Sequence, residues 1–123
     1  MTTPALRQLD YVAHILEAIR LVRSYVVGME REDFLADRKT QQAVILNILV
    51  IGEATTQLVN TYPDWVARHP EVPWRQIRGM RNRMAHGYFD INLDVVWDTV
   101  QQSLPALEND LQAILSAESE LPE

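Results

Sequence analysis

Apolar residues recur every three or four positions along almost the whole chain, the periodicity of helices with one buried face. Leu6, Leu9, Ala13 and Leu16 follow one line near the start, and Val12, Ile15, Ile19, Val22 and Val26 widen it. Thr3 with Pro4 predicts the start of this first helix and Gly28 its stop. Residues 29–36 read as a connector with a helical turn near Phe34. A second helix is predicted from Asp37 or Arg38 to Asn60, its apolar face carried by Val44, Ile45, Ile48, Leu49, Ile51, Thr55 and Leu58. Residues 43–51 are apolar almost all round, which predicts a central helix or one facing a second subunit. Pro63, Pro70 and Pro73 punctuate the middle, with a helical turn at Asp64–Arg68. Pro73 opens a third helix that ends at Ala85 or His86, before Gly87.

Asp90 or Asn92 is placed to cap a fourth helix from Leu93 to Ala117. Its apolar positions are Leu93, Val96, Val100, Leu104, Leu107, Leu111 and Ile114, and Pro105 is expected to kink it. Residues 118–123 are expected to fray. The pattern has no repeat and no change of composition, so residues 1–123 read as one domain, an all-α small antiparallel helical bundle.

Composition narrows the chemistry. The chain has no cysteine, which removes disulfides, thiolate metal sites and cysteine nucleophiles and fits a cytoplasmic location. The apolar run 43–50 is interrupted by Asn47 and followed by Glu53, short of the roughly 20 residues of a membrane span. No basic region followed by an apolar run opens the chain, so no signal peptide is expected.

The net charge of −6 argues against non-specific coating of nucleic acid. That charge is unevenly placed. Arg68, Arg75, Arg78, Arg81 and Arg83 face one nearby acid, Glu71, and after Arg83 the chain carries acids and no Lys or Arg. Either the patch is a focused anion site, or its arginines pair with the acidic last helix.

The run Arg78-Gly-Met-Arg-Asn-Arg-Met-Ala-His-Gly-Tyr88 concentrates the chemistry. Arginine neutralises phosphoryl oxygens and histidine moves protons near neutral pH, so the pair can cleave a phosphodiester without a metal. Asn82 and His86 are four apart and share a helix face, which would let Asn82 orient the imidazole. Arg81 and His86 are five apart, about 140° around a helix, and do not converge on one straight helix. Either the chain turns back at Gly87 or a second copy completes the site, with Gly79 allowing close approach. With RNA, His86 would move protons at the 2′-hydroxyl or the leaving oxygen and Arg81 would stabilise the phosphoryl charge. His14 and His69 show no ligand spacing with His86, so neither metal nor cofactor is expected.

Each residue also has a structural reading. His86 could be a favourable dipole partner at a helix end. Arg81 could pair with Glu53 or Asp94, and Glu53 with an arginine of the motif helix. Tyr88 and Phe89 could be core aromatics closing the bundle.

The string Arg81-Asn82-Arg83-Met84-Ala85-His86-Gly87-Tyr88 resembles the signature of the HEPN-domain ribonucleases, and its His-x-Tyr ending is similar to the HepT toxin branch. Residues 73–80 and Ile51-Gly52-Glu53-Ala54 resemble that branch too. The resemblance implies a helical bundle that dimerises around a cleft holding both motifs. It implies a toxin with metal-independent endoribonuclease activity on tRNA or mRNA, Arg81 and His86 catalytic, and Asn82, Arg78 and Glu53 supporting. It also implies an antitoxin partner, an MntA-like nucleotidyltransferase that transfers AMP to Tyr88. The alternative is a non-catalytic scaffold subunit of a nucleotidyltransferase complex.

Overall fold

The computed structural model describes residues 7–119, and its α-helices fall where the pattern above expects helices or helical turns, while a 3-10 turn at Tyr88–Asp90 was not expected. The predicted cap at Thr3, Pro4 and the apolar Leu6 lie outside the described residues. Helix α1 spans Gln8–Val26 and buries Val12, Ile15, Leu16, Ala18, Ile19, Val22 and Val26. Ala13, expected on that face, is exposed. Gly28 ends the helix with φ 78°, a left-handed backbone that glycine adopts without a Cβ penalty.

The connector holds a short helix, α2 (Arg31–Leu35). Its Phe34 is fully buried and lies 5.4 Å, ring centre to ring centre, from Trp97. Helix α3 (Arg38–Thr61) follows. The Asp37 side chain accepts hydrogen bonds from the Thr40 hydroxyl at 2.7 Å and the Thr40 backbone N–H at 3.1 Å. These bonds favour the ionised carboxylate and hold its pKa below the usual value. The stabilisation is therefore complete above the ordinary carboxylate range and is lost as pH falls through the depressed folded value. Asp37→Ala should lower the melting temperature by about 2–6 °C near neutral pH, with the gap closing in acid, as thermal denaturation across pH would read.

Packing against α1 and α5 makes α3 the central helix. Over its most apolar window it has a mean hydropathy of 1.4, so by length and composition it could cross a bilayer. The expectation of no such segment is corrected in that respect: the run extends beyond residues 43–50. Its apolar face is nevertheless used inside the bundle. Val44, Ile45, Ile48, Ile51, Ala54 and Leu58 are buried there, while Leu46 and Val50 stay exposed.

Helices α4 (Pro63–Ala67) and α5 (Trp74–His86) come next, then a 3-10 turn at Tyr88–Asp90. The last helical stretch starts with α6 (Leu93–Asp98), capped by Asn92, whose side chain accepts from the Asp94 and Val95 N–H groups. It passes through a π-helical segment, Thr99–Ser103, into α7 (Leu104–Ser119). The expected Pro105 irregularity is thus a π-bulge in the turn before it. Proline offers no N–H to the Gln101 carbonyl, and the ladder widens there so that the Leu104 N–H bonds to the Thr99 carbonyl. The widened turn also brings the Thr99 hydroxyl to 3.6 Å from Met80 Sδ on α5.

Residues 118 and 119 do not fray as expected: the helix reaches Ser119. Glu118 accepts from Trp65 Nε1 at 2.9 Å and lies 3.0 Å from His69 Nε2. Residues 120–123 lie outside the described residues.

Candidate active site

Helix α5 carries the motif, and its position is set by a single missing side chain on α3. A Cβ built on Gly52 would lie 2.2 Å from Arg81 Cβ and 2.4 Å from Arg81 Cγ. Only glycine lets α3 and α5 approach this closely, so Gly52 seats the stem of Arg81. The guanidinium is then fixed from two sides. Nη2 donates to Glu53 Oε2 at 3.2 Å and Nη1 donates to Asn82 Oδ1 at 3.2 Å. The pair is half-open to solvent, with side-chain exposures of 32% for Arg81 and 52% for Glu53. A contact this exposed is worth about 0–1 kcal/mol. Its main consequence is orientation: Glu53 and Asn82 aim a guanidinium that still has free donors.

These bonds choose between the alternatives left open by the sequence. Glu53 pairs with Arg81, and Asp94 does not. Asn82 takes a different partner from the one expected: it hydrogen-bonds Arg81 rather than His86. Its carbonyl is drawn to the nearest fixed cation.

The four other arginines of the basic stretch behave differently. Among the described residues Arg68, Arg75, Arg78 and Arg83 make no ion pair. The acids expected to neutralise them are engaged elsewhere. Asp94 and Asp98 both bind Arg31, at 2.8 and 2.7 Å. Glu108 pairs with Arg23, and Glu118 and Glu71 both meet His69. The alternative in which the arginines of the patch pair with the acidic last helix is therefore not what the structure holds: Arg23 of α1, Arg31 of α2 and the His69 imidazole meet those acids instead.

His86 is the last residue of α5 and is exposed. Because α5 remains helical through His86, the chain does not turn back to bring the imidazole over Arg81. At about 100° per residue the two side chains diverge by about 140°, and Ala85, Arg78, Asn82 and Arg75 fall in the arc between them. One copy therefore presents a band of donors across α5 rather than a closed pocket. The Cβ direction of Gly79 is almost open, with the Arg83 guanidinium nearest at 3.7 Å.

Tyr88 and Phe89 are not core aromatics. They stand edge to face, 5.8 Å apart at 82°, and are 48% and 98% exposed. The Tyr88 hydroxyl makes no hydrogen bond among the described residues. Beside this turn a cavity of about 280 Å³ is lined by Met80, Arg83, Met84, Asp90, Ile91 and Val95. Across α5 lies a second hollow, of about 420 Å³, whose lining includes Arg75, Arg78 and Asn82. Among the described residues no group of three or more His, Asp or Glu side chains is arranged to hold a metal ion.

The structural part of Gly52 was not read from the pattern alone. The available signal was a glycine inside an otherwise apolar helix, which costs about 1 kcal/mol and marks a close approach.

Comparison with known proteins finds relatives over most of the chain. A family model described as ribonuclease HepT-like matches residues 15–114, a span containing Gly52, Glu53, Arg81, Asn82, His86 and Tyr88. A Thermococcus cleftensis protein named "Probable ribonuclease HepT" is 39% identical over 105 residues, 85% of this chain and 93% of that one. The "Putative RNase TTE0752" of Caldanaerobacter subterraneus is 33% identical over 108 residues, 88% of this chain and 94% of its own. The "Putative RNase MJ0127" of Methanocaldococcus jannaschii is 36% identical over 104 residues, covering 85% and 81%. No solved structure matches the chain significantly. The chain belongs to the HepT-like ribonuclease family.

Proposed function

We propose that the protein is the toxin of a toxin–antitoxin pair, a metal-independent endoribonuclease that cleaves cytoplasmic RNA, tRNA or mRNA, by attack of a 2′-hydroxyl. The observation that carries this reading is Arg81. It is seated against Gly52 and held by Glu53 and Asn82, yet half-open to solvent, on the helix that ends in the exposed His86. His86 takes the proton from the 2′-hydroxyl or gives one to the leaving 5′-oxygen. The 2′-oxygen attacks the adjacent phosphorus, the bond to the 5′-oxygen breaks, and a cyclic phosphate and a free 5′-hydroxyl result. Arg81 stabilises the charge that builds on the phosphoryl oxygens, with Arg78 supporting. No step needs a metal or a cofactor.

The angle between Arg81 and His86 favours a homodimeric site in which Arg81 of one copy works with His86 of the other. A symmetric pair of α5 helices supplies two such sites across one cleft.

The test is incubation of the purified, unmodified protein with total RNA in excess chelator. Cleavage supports the nuclease reading. Absence of cleavage with an unmodified Tyr88 favours a non-catalytic scaffold subunit of a nucleotidyltransferase complex.

Control by an MntA-like nucleotidyltransferase antitoxin fits the exposed, unbonded Tyr88 hydroxyl. Its oxygen attacks the α-phosphorus of ATP held by the partner, pyrophosphate leaves, and AMP remains on the tyrosine. The added bulk and negative charge, two residues from His86, compete with RNA phosphate for the arginines. Tyr88→Phe should cleave RNA within about threefold of wild type and resist silencing by partner and ATP, since an exposed hydroxyl contributes little to the fold. Silencing of Tyr88→Phe to the wild-type extent, in a gel assay of RNA cleavage, would exclude this switch.

A further inference from the structure

Of the residues lining the hollow on the Asn82 side of α5, the chemistry above uses Asn82 and Arg78 only as supports for Arg81. The lining includes Val59, Val66, Trp74, Arg75, Arg78 and Asn82, around about 420 Å³. The base is apolar, from α3, α4 and the buried Trp74. Two arginines lie along the rim, neither in an ion pair among the described residues, on a protein whose net charge is −6. The same protein pairs Arg20, Arg23, Arg31 and Arg81 with carboxylates. Arg83 is unpaired beside the 280 Å³ cavity as well, but here two unmatched cations, Arg75 and Arg78, flank one apolar hollow.

Register adds a second argument. Arg75, Arg78, Asn82 and His86 follow one another at spacings of three and four, so they share one side of α5, on which Arg75, Asn82 and His86 are exposed and Arg78 is half-buried. Arg78 lies about 12 Å, and Arg75 about 16 Å, from His86 along the helix axis. A stacked strand covers that distance in about three to five nucleotides.

We propose that this hollow is a subsite for single-stranded RNA, upstream or downstream of the bond that is cut. Arg75 and Arg78 bind successive backbone phosphates, and an unstacked base rests on the apolar base between Val59, Val66 and Trp74. The arrangement is the usual one for single strands, a charged track beside an apolar or aromatic platform. It makes Arg75 a substrate-positioning residue and gives the site reach along the strand. The inference builds on the nuclease reading, but RNA binding can be measured without cleavage.

The probe is a fluorescent single-stranded RNA of about twelve nucleotides, fully 2′-O-methylated so that no 2′-hydroxyl can attack. Binding is followed by anisotropy over a range of salt, for wild type, Arg75→Gln, Arg78→Gln and both lysine variants. Each glutamine variant should bind about tenfold more weakly, and the salt slope should fall by about 0.7 per arginine removed. The lysine variants should keep the slope. On cleavable RNA, the loss from Arg75→Gln should fall in KM rather than kcat, and should be larger on the long strand than on a dinucleotide.

Glutamine variants with wild-type affinity and slope would overturn the subsite, whether or not the wild type cleaves RNA. Lysine variants as weak as the glutamine variants, with the slope unchanged, would overturn it too by showing a structural effect. Arginine-dependent binding without cleavage by the wild type would uphold the subsite and remove the nuclease reading. A wild type that cleaves RNA but does not bind this probe would overturn the subsite and leave the nuclease reading, and one that neither binds nor cleaves would remove both.

Discussion

His86→Ala should lower kcat/KM for RNA cleavage in chelator by about 10²–10⁴-fold, the range for loss of a positioned proton-transfer group. The fold should barely notice. His86 is exposed and is the final residue of α5, so its removal leaves no cavity. A cation at a helix C-terminus contributes about 0.3–1 kcal/mol when charged, which limits the stability change. A melting temperature within a few degrees of wild type, together with lost cleavage, assigns the defect to chemistry. Cleavage by His86→Ala at the wild-type rate would remove His86 from the mechanism and point to a contaminant or another site.

The same variant tests which copy supplies which group. Arg81→Ala should also lose about 10²–10³-fold as a donor to the developing phosphoryl charge. Arg81→Ala and His86→Ala should each be nearly inactive alone, yet mixing them should restore activity if the site is shared. In a mixed dimer one site keeps the Arg81 of one copy and the His86 of the other. Random exchange gives about half mixed dimers, hence about a quarter of wild-type activity. If both groups act within one copy, every site in the mixture lacks one of them and no activity returns.

Local signals made most of the helices legible. Asn92, one of the two cap residues expected, caps α6, and Asp37 caps α3, whose start was expected at Asp37 or Arg38, because a short side-chain acceptor beside free N–H groups acts on neighbours two or three residues away. Gly28 stops α1 for an equally local reason. Long-range partners were not legible. Arg31 pairs with Asp94 and Asp98 across more than 60 positions, a match fixed by how α2 docks on α6. No spacing rule within one helix contains it. The exposure of Phe89 was hidden for a related reason: hydrophobicity predicts burial only when neighbouring elements provide a wall. The motif residues were readable as chemistry, and Glu53 as a partner for an arginine. Asn82 misled because helical spacing allowed His86, while the actual geometry offered the Arg81 guanidinium.

Gly52→Ala should cost about 1–2 kcal/mol of stability and about 10²-fold in cleavage, although alanine is the better helix former. Alanine in place of glycine inside a helix ordinarily gains about 1 kcal/mol. Here the new methyl would lie 2.2 Å from Arg81 Cβ and 3.4 Å from Arg81 Cα. Those atoms belong to the root of the side chain and cannot rotate away, so α5 itself must move. Overpacking of this kind costs about 1–3 kcal/mol, more than the helical gain. A displacement near 1 Å at a positioned catalytic group is enough for the loss in rate. Thermal melts and kcat/KM on RNA would measure both. The cause can be isolated with the partner residue. In an Arg81→Ala background the Cβ remains, so Gly52→Ala should still destabilise. In an Arg81→Gly background the obstructing atom is gone, and the same substitution should become neutral or stabilising. Such coupling is expected only for residues in direct contact. An equal cost of Gly52→Ala in both backgrounds would mean that its effect does not arise from the seat of Arg81.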